Sequence, residues 1–563
     1  MSLFTLALLL PVMYRRYQRR TGAPAAAYNN RAGRLVIVAM AVLVLVGVAG
    51  GAAFAENGDR DGSKTGTNTE QIAPPDKPVP QNLGTVAEQT AKNTTAINIT
   101  WLMLGGILVL FMQAGFALVE TGFTRAKNAA HTMMMNMVIF ALGVVGWFIC
   151  GYALMFGSVS NSLVGVTSLG SPVHVGAWNL LSLHGFFLGG HAYDVGVMGF
   201  FFFQLVFMDA TATIPTGAMA ERWKFSSFIV WGLFASMILY PVYGNWVWGG
   251  GWLSQLGVLG PKWGHGAVDF AGSGVVHAMG GVAAFWGAKI LGPRIGKFDK
   301  DGKPRAIPGH HLPMAMLGTF ILLVGWMGFN GGSTFAGTDF RLTVVIVNTI
   351  LASAFGCLSC MFLMWRLFGK PDPSMTANGL LAGLVAITAP CAFVAPWGAA
   401  VIGTVAGLLV VAVVLLVERR AKVDDPVGAV AVHGANGLWG LLAVGLFADG
   451  SYGAGLNGVA GGVKGLFYGD AGQLAAQLAD MVVLVVFCSV MTVVFFTILK
   501  NTVGMRSTTD AEIAGLDMPE MGALAYPDFL EAQGAVFYPV DSAAAPEGGG
   551  ALTGAALRKE VGA

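Results

Sequence analysis

Eleven long apolar segments, parted by short polar or glycine-rich breaks, run from residue 98 to residue 502. They fall near 98–121, 132–156, 194–219, 225–248, 270–291, 312–332, 342–367, 376–395, 398–417, 427–447 and 474–502. Each is long enough to cross a hydrocarbon layer ~30 Å thick. The pattern predicts an all-α polytopic membrane protein with eleven transmembrane helices in a domain over 96–505. Ahead of it, a basic leader gives way to Arg31 and Arg34, an apolar run Leu35–Gly50, and Ala53-Phe54-Ala55 before Glu56. Over 1–55 that is the layout of a cleavable signal peptide, with an uncleaved anchor as the alternative. Residues 56–95 are polar and carry Pro74, Pro75, Pro78 and Pro80, which predicts an extracytoplasmic linker with nothing to bury. Residues 506–563 form a tail.

Composition agrees with the pattern. The chain is 55% hydrophobic and 11% charged, with 80 glycines that let membrane helices approach closely. A net charge of +2 gives no reason to expect a nucleic-acid partner. Lysines and arginines alternate between the breaks. One set holds Arg125, Lys127, Arg222, Lys224, Arg294, Lys297, Lys300, Lys303, Arg305, Arg366, Lys370, Arg419, Arg420 and Lys422, and the other little beyond Lys262, Arg341 and Lys464. The rich set is predicted to be cytoplasmic, with the N-terminus outside and the C-terminus inside the cell membrane.

One histidine motif occurs twice. Asp269 precedes His277 by eight residues, and Asp425 precedes His433 by eight. Both motifs place glycine three after the Asp, valine just before the His, and glycine four after it. Each Asp reads as a helix N-cap, with Pro426 at the first helical position, so each His should lie about 12 Å along its helix, near the midplane. The two helices are the fifth and tenth spans and enter from opposite sides. That implies an inverted 5+5 repeat with a peripheral eleventh helix, and a site at the repeat interface. An ionisable residue at that depth points to function, although a hydrogen bond gluing two helices would also explain it.

Other groups add detail. Asp269 either caps its helix only or also stabilises a cation in the outer mouth. Phe203, Phe207, Trp248, Trp326, Phe329 and Ser333 lie on the third, fourth and sixth spans. Such aromatics can be packing, interfacial anchors or a cage for a small cation. The five cysteines are scattered, and Cys357 and Cys360 have no second pair to complete a metal site. Two histidines without a credible third ligand argue against an intramembrane metalloenzyme. No cofactor is indicated.

Seven stretches together resemble the ammonium transporter (Amt) family: Gly122-Phe-Thr-Arg-Ala-Lys-Asn128, Ala218-Met-Ala-Glu-Arg222, Val247-Trp-Gly-Gly-Gly251, Asp269-Phe-Ala-Gly272, Gly325-Trp-Met-Gly-Phe-Asn330, Asp424-Asp-Pro426 and Val432-His-Gly434. The resemblance spans ~98–505. It implies a transporter, not an enzyme, assembled as a homotrimer with one pore per subunit. It assigns Trp248, Phe207 and Ser333 to an outer ammonium-recruiting site, with Asp269 buried below it, and Phe207 and Phe329 to a gate. His277, His433, Trp326 and Phe203 fall to the pore. Many relatives are closed by a PII-type signalling protein at the cytoplasmic face. Two departures concern that face: Gly428 stands where an aspartate is common, and Met521 and Ala523 stand where His and Glu are common.

The physics fits ammonium, or methylammonium, independently. A bare cation in an apolar pore is costly, whereas an aromatic cage replaces part of its hydration. Neutral ammonia can then pass a constriction and hydrogen-bond imidazole. Potassium has no proton to leave behind. The rivals are an ammonium sensor and a Rhesus-type gas channel. Trp248 favours the ammonium branch over the latter.

Overall fold

The structure is a computed structural model that describes residue 59 and residues 82–527. The leader, the expected signal cleavage, most of the Pro-rich segment and the tail beyond Pro527 lie outside the described residues.

Ten helices are long and apolar enough to cross a membrane, and a shorter apolar helix completes the expected set of eleven among the described residues. They are α1 (Leu83–Phe123), α2 (Ala126–Phe156), α3 (Val195–Met219), α4 (Phe225–Val247), α5 (Ser273–Leu291), α6 (Leu312–Gly332), α7 (Leu342–Phe368), α8 (Pro373–Ile387), α9 (Pro396–Ala421), α10 (Val430–Phe447) and α11 (Ala471–Thr502). A two-stranded hairpin, Val173–Val175 with Trp178–Leu181, lies in the long loop between α2 and α3.

Local chemistry sets the helix starts. The side chains of Asp194, Asp372 and Asp470 cap α3, α8 and α11 by accepting backbone N–H groups. One start differs from expectation. α1 begins at Leu83, fifteen residues before its apolar run, where Asn82 and Thr85 form a reciprocal capping box. Part of the supposed linker is therefore helix. Asp59, from the same stretch, is buried, and its N–H donates to Asp194 at 2.7 Å.

The first and last helices of the two halves pair, as an axis in the membrane plane requires. α1 lies on α6, with Gly105 against Gly332 and Gly115 against Gly318. α5 crosses α10 so closely that a Cβ on Gly281 would meet the backbone N of Gly434 at 2.1 Å. Only glycine fits there. This crossing brings the two histidine helices together. α11 packs against α5 and α10 and leaves Val482, Val486, Val490, Val494 and Ile498 exposed in one four-residue stripe, as a peripheral lipid-facing helix should.

α8 ends eight residues earlier than its apolar run. Pro390 stops the helix, and Thr388–Val394 continue as buried irregular backbone. Its polar groups are satisfied by neighbours: Phe270 and Ala271 donate to the carbonyls of Ala389 and Thr388, and Asn348 donates to those of Cys391 and Val394. Irregular backbone survives at membrane depth only when buried in protein in this way.

Candidate functional site

The two aspartates of the repeated motif do cap α5 and α10, but from farther out than a helix N-cap. Asp269 accepts N–H bonds from Gly272, Ser273, Gly274 and Val275, at 2.8–2.9 Å. Asp425 accepts from Val427, Gly428 and Val430. In each case a tight turn intervenes, made possible by a glycine of positive φ, Gly272 at 111° and Gly428 at 81°. Pro426 therefore precedes the helix instead of starting it. His277 is the fifth residue of α5 and His433 the fourth of α10. Both sit in an opening π-helical turn, a wide geometry common at functional sites. In α5 the His277 N–H reaches five residues back to Gly272 at 3.1 Å.

The imidazoles face each other with Nδ1 atoms 3.2 Å apart and ring centroids 5.2 Å apart. One nitrogen must donate and the other accept. Nε2 of His277 is buried and has no partner among the described residues. A buried unpaired imidazole nitrogen is costly unless a guest satisfies it.

From the histidines an aromatic column leads toward α4. His277 stacks on Trp326 (5.0 Å, 20°) and Phe329 (5.4 Å, 27°). Phe329 stacks on Phe207 at 4.1 Å, and Phe207 meets Trp248 edge-on at 6.0 Å. Trp326 is fixed by donating to the Thr388 hydroxyl at 2.8 Å. Trp248 is fixed by donating to the Asp269 carbonyl at 2.6 Å. The column ends in a cavity of ≈ 300 Å³ lined by Phe203, Gln204, Phe207, Trp248, Ser333 and Phe335, among others.

Phe203 stands elsewhere than expected, whereas Asp269 lies below the outer cavity, as the resemblance implied. Phe203 lines the cavity beyond Phe207 and does not join the histidines. Asp269 is not in the cavity wall: it lies beneath Trp248, and both carboxylate oxygens accept backbone N–H groups. It shapes the turn under the cavity. Gln204, buried with an Oε1 unpaired among the described residues and lining the cavity, was missed, although a polar residue inside an apolar span is a readable signal.

The chain as a whole is similar to known proteins. The family model described as Ammonium Transporter Family matches residues 100–526. The chain belongs to the ammonium transporter family. Ammonium transporter Amt2 of Archaeoglobus fulgidus is 46% identical over 437 residues, covering 77% of this chain and 89% of that protein. Ammonium transporter 1 member 3 of Solanum lycopersicum is 34% identical over 80% of this chain and 97% of that protein. Among solved structures, one titled a sensor Amt protein aligns with a TM-score of 0.66 at 34% identity, over 76% of this chain and 99% of that one. Mep2 of Candida albicans aligns with a TM-score of 0.64 at 28% identity, over 77% of this chain and 90% of that one.

On the side of the cationic loops, Glu221 and Arg222 are built into an ion network. Arg294 bridges Glu221 (2.6 Å) and Asp424 (2.8 Å), and Arg125 reaches Glu221 from the turn between α1 and α2. Burial works to raise Asp424, but Arg222 and Arg294 outweigh it and hold the carboxyl well below its usual range. The first part of the tail docks beside this network. Glu512 pairs with Arg506, Asp517 accepts from the His131 N–H, and Glu520 accepts from the Phe225 N–H.

Proposed function

We propose that the chain transports ammonium across the cytoplasmic membrane. Ammonium is captured in the outer cavity at Trp248, Phe207 and Ser333. It loses its proton near the Phe207–Phe329 gate, and ammonia passes along His277 and His433. The observation that carries this reading is the continuous contact series Trp248, Phe207, Phe329, His277, His433, which contains no charged side chain and includes, on His277, an imidazole nitrogen without a partner among the described residues. A desolvated cation has nothing to pair with along that series, whereas ammonia can bridge imidazole nitrogens. The transporter acts as a homotrimer with one pore per subunit, and the docked tail faces the side a PII-type protein would approach. The test is uptake of labelled methylammonium into liposomes with simultaneous current. Uptake at the empty-liposome level rejects transport. Binding without uptake supports the second reading, a sensor, which the likeness to the sensor Amt protein favours.

Trp248→Leu removes the π face toward the cavity. Cation–π attraction of ~0.5–2 kcal/mol corresponds to a half-saturation concentration raised roughly 2- to 30-fold. Trp248→Phe should recover most of that loss. Unchanged concentration dependence in the Leu variant would make Trp248 an anchor only.

Orientation follows from the lysine and arginine bias. Cysteines placed at the exposed Lys300 and Lys262 should behave oppositely in intact cells: a membrane-impermeant thiol reagent should label the second and spare the first. The reverse pattern inverts the direction of the pore.

A further inference from the structure

On the far side of the histidine pair lies a group that the transport reading does not use. Glu120, on α1, is buried, and no lysine or arginine pairs with it among the described residues. With His433 and Phe116 it lines a cavity of ≈ 20 Å³, room for about one small molecule such as water or ammonia. An unpaired acidic residue at membrane depth is expensive to keep without a task.

The hydrogen bonds around Glu120 bear on its proton. Asn136 Nδ2 donates to its Oε2 at 2.7 Å, and the Gly217 backbone N–H faces the carboxyl as a further donor. The Thr216 hydroxyl lies 2.7 Å from each carboxylate oxygen and 2.6 Å from the Thr213 carbonyl. That hydroxyl has one hydrogen and three acceptors around it. The arrangement is satisfied when Thr216 donates to Thr213 and Glu120, carrying a proton, donates to Thr216. The titratable groups that face Glu120 are His433 across the cavity and Asp425 at the head of α10. From the other packed helices Asn136 and Thr216 bond it, and Leu322 and Asn378 line the same cavity.

We propose that Glu120 is the proton donor at the inner end of the pore. The inference rests on the transport reading above. Ammonia leaving His433 enters the small cavity and takes the proton of Glu120, so that an N–H bond forms as the carboxyl O–H breaks, giving ammonium and carboxylate. Ammonium leaves to the cytoplasmic side. The carboxylate regains a proton from hydronium in the inner water, releasing water. The sum is ammonia plus one inner proton becoming inner ammonium.

Glu120→Gln is the decisive variant, because a Gln amide can donate to Thr216 as a protonated Glu does and leaves the packing intact. The experiment reads methylammonium uptake into liposomes of uniformly oriented protein while the lumenal pH is varied. Wild type should slow as the lumen becomes alkaline. Glu120→Gln should take up substrate about 10²-fold more slowly, with that dependence flattened, as expected on loss of a general acid. Glu120→Asp keeps an exchangeable proton and should keep the dependence with its midpoint shifted. A wild-type pH profile in Glu120→Gln, at any absolute rate, overturns the proposal. If the Gln variant does not assemble, an unshifted profile in the Asp variant overturns it instead. No uptake by wild type would reject the transport reading itself, whereas uptake with an unchanged profile rejects only the role of Glu120.

Discussion

Replacing His277 by aspartate is expected to make the protein pass potassium. In the wild type, the site where the two Nδ1 atoms meet at 3.2 Å is buried, lined by rings, and offers no fixed charge. An ion that cannot shed a proton must cross it intact, at a cost that apolar surroundings make prohibitive. A carboxylate at position 277 changes that balance. Two unit charges 4 Å apart attract by about 4 kcal/mol at an effective dielectric constant of 20, close to a thousandfold in occupancy at 1.4 kcal/mol per factor of ten. Potassium flux should therefore rise far above the empty-liposome level, while methylammonium flux persists. His277→Asn supplies polarity without charge and should not leak. If the histidines serve only as glue between α5 and α10, both variants lose stability and neither changes ion selectivity. Potassium flux that stays at the empty-liposome level in an assembled, methylammonium-competent His277→Asp protein would falsify the selectivity role.

The spans were legible because lipid imposes one strong condition, an apolar run of sufficient length, and nearly every helix meets it with its own residues. The ends were less legible where other forces decide. Polar residues 83–97 are helical because a capping box starts the helix there, and hydropathy is blind to that. Thr388–Val394 look like helix by hydropathy, but Pro390 and the side chains of neighbouring helices dictate another path. In the site, the repeated Asp-to-His spacing identified the two histidines and the crossing of their helices. Both aspartates were readable as caps, but not the turn at Gly272 and Gly428 that sets each cap outside its helix, because the same Asp-to-Gly spacing is compatible with either geometry. Glu120 was readable in principle as a lone acid inside an apolar run. Its place near the end of that run hid it, since an interfacial acid needs no explanation, and only the fold shows that it faces His433.

Removing Arg294 is expected to cost more stability than any other single change to the ion network. Its guanidinium lies between Glu221 at 2.6 Å and Asp424 at 2.8 Å, and both carboxylates are fully buried. Arg294→Ala leaves buried Asp424 without its ion-pair partner and Glu221 with Arg125 alone, and breaking a buried pair by deleting one partner costs ~3–5 kcal/mol. As a control, Arg341 pairs with Asp339 near the surface, and Arg341→Ala should cost no more than about 1 kcal/mol. The network holds loops from both halves, and Asp424 adjoins Asp425, whose carboxylate builds the turn into α10. Arg294→Ala should therefore also loosen the register of His433 and lower transport per assembled protein. Acid supplies an independent check. Asp424 is depressed in the folded state, so its contribution is fully present above the unfolded carboxyl value of about 3.9 and is lost as pH falls through the lower folded value. The stability gap between wild type and Asp424→Asn, measured by thermal unfolding in detergent, should be widest at neutral pH and close as the solution is acidified below that value. A gap that stays constant with pH would mean that Asp424 contributes through packing and backbone hydrogen bonds, with its charge playing no part.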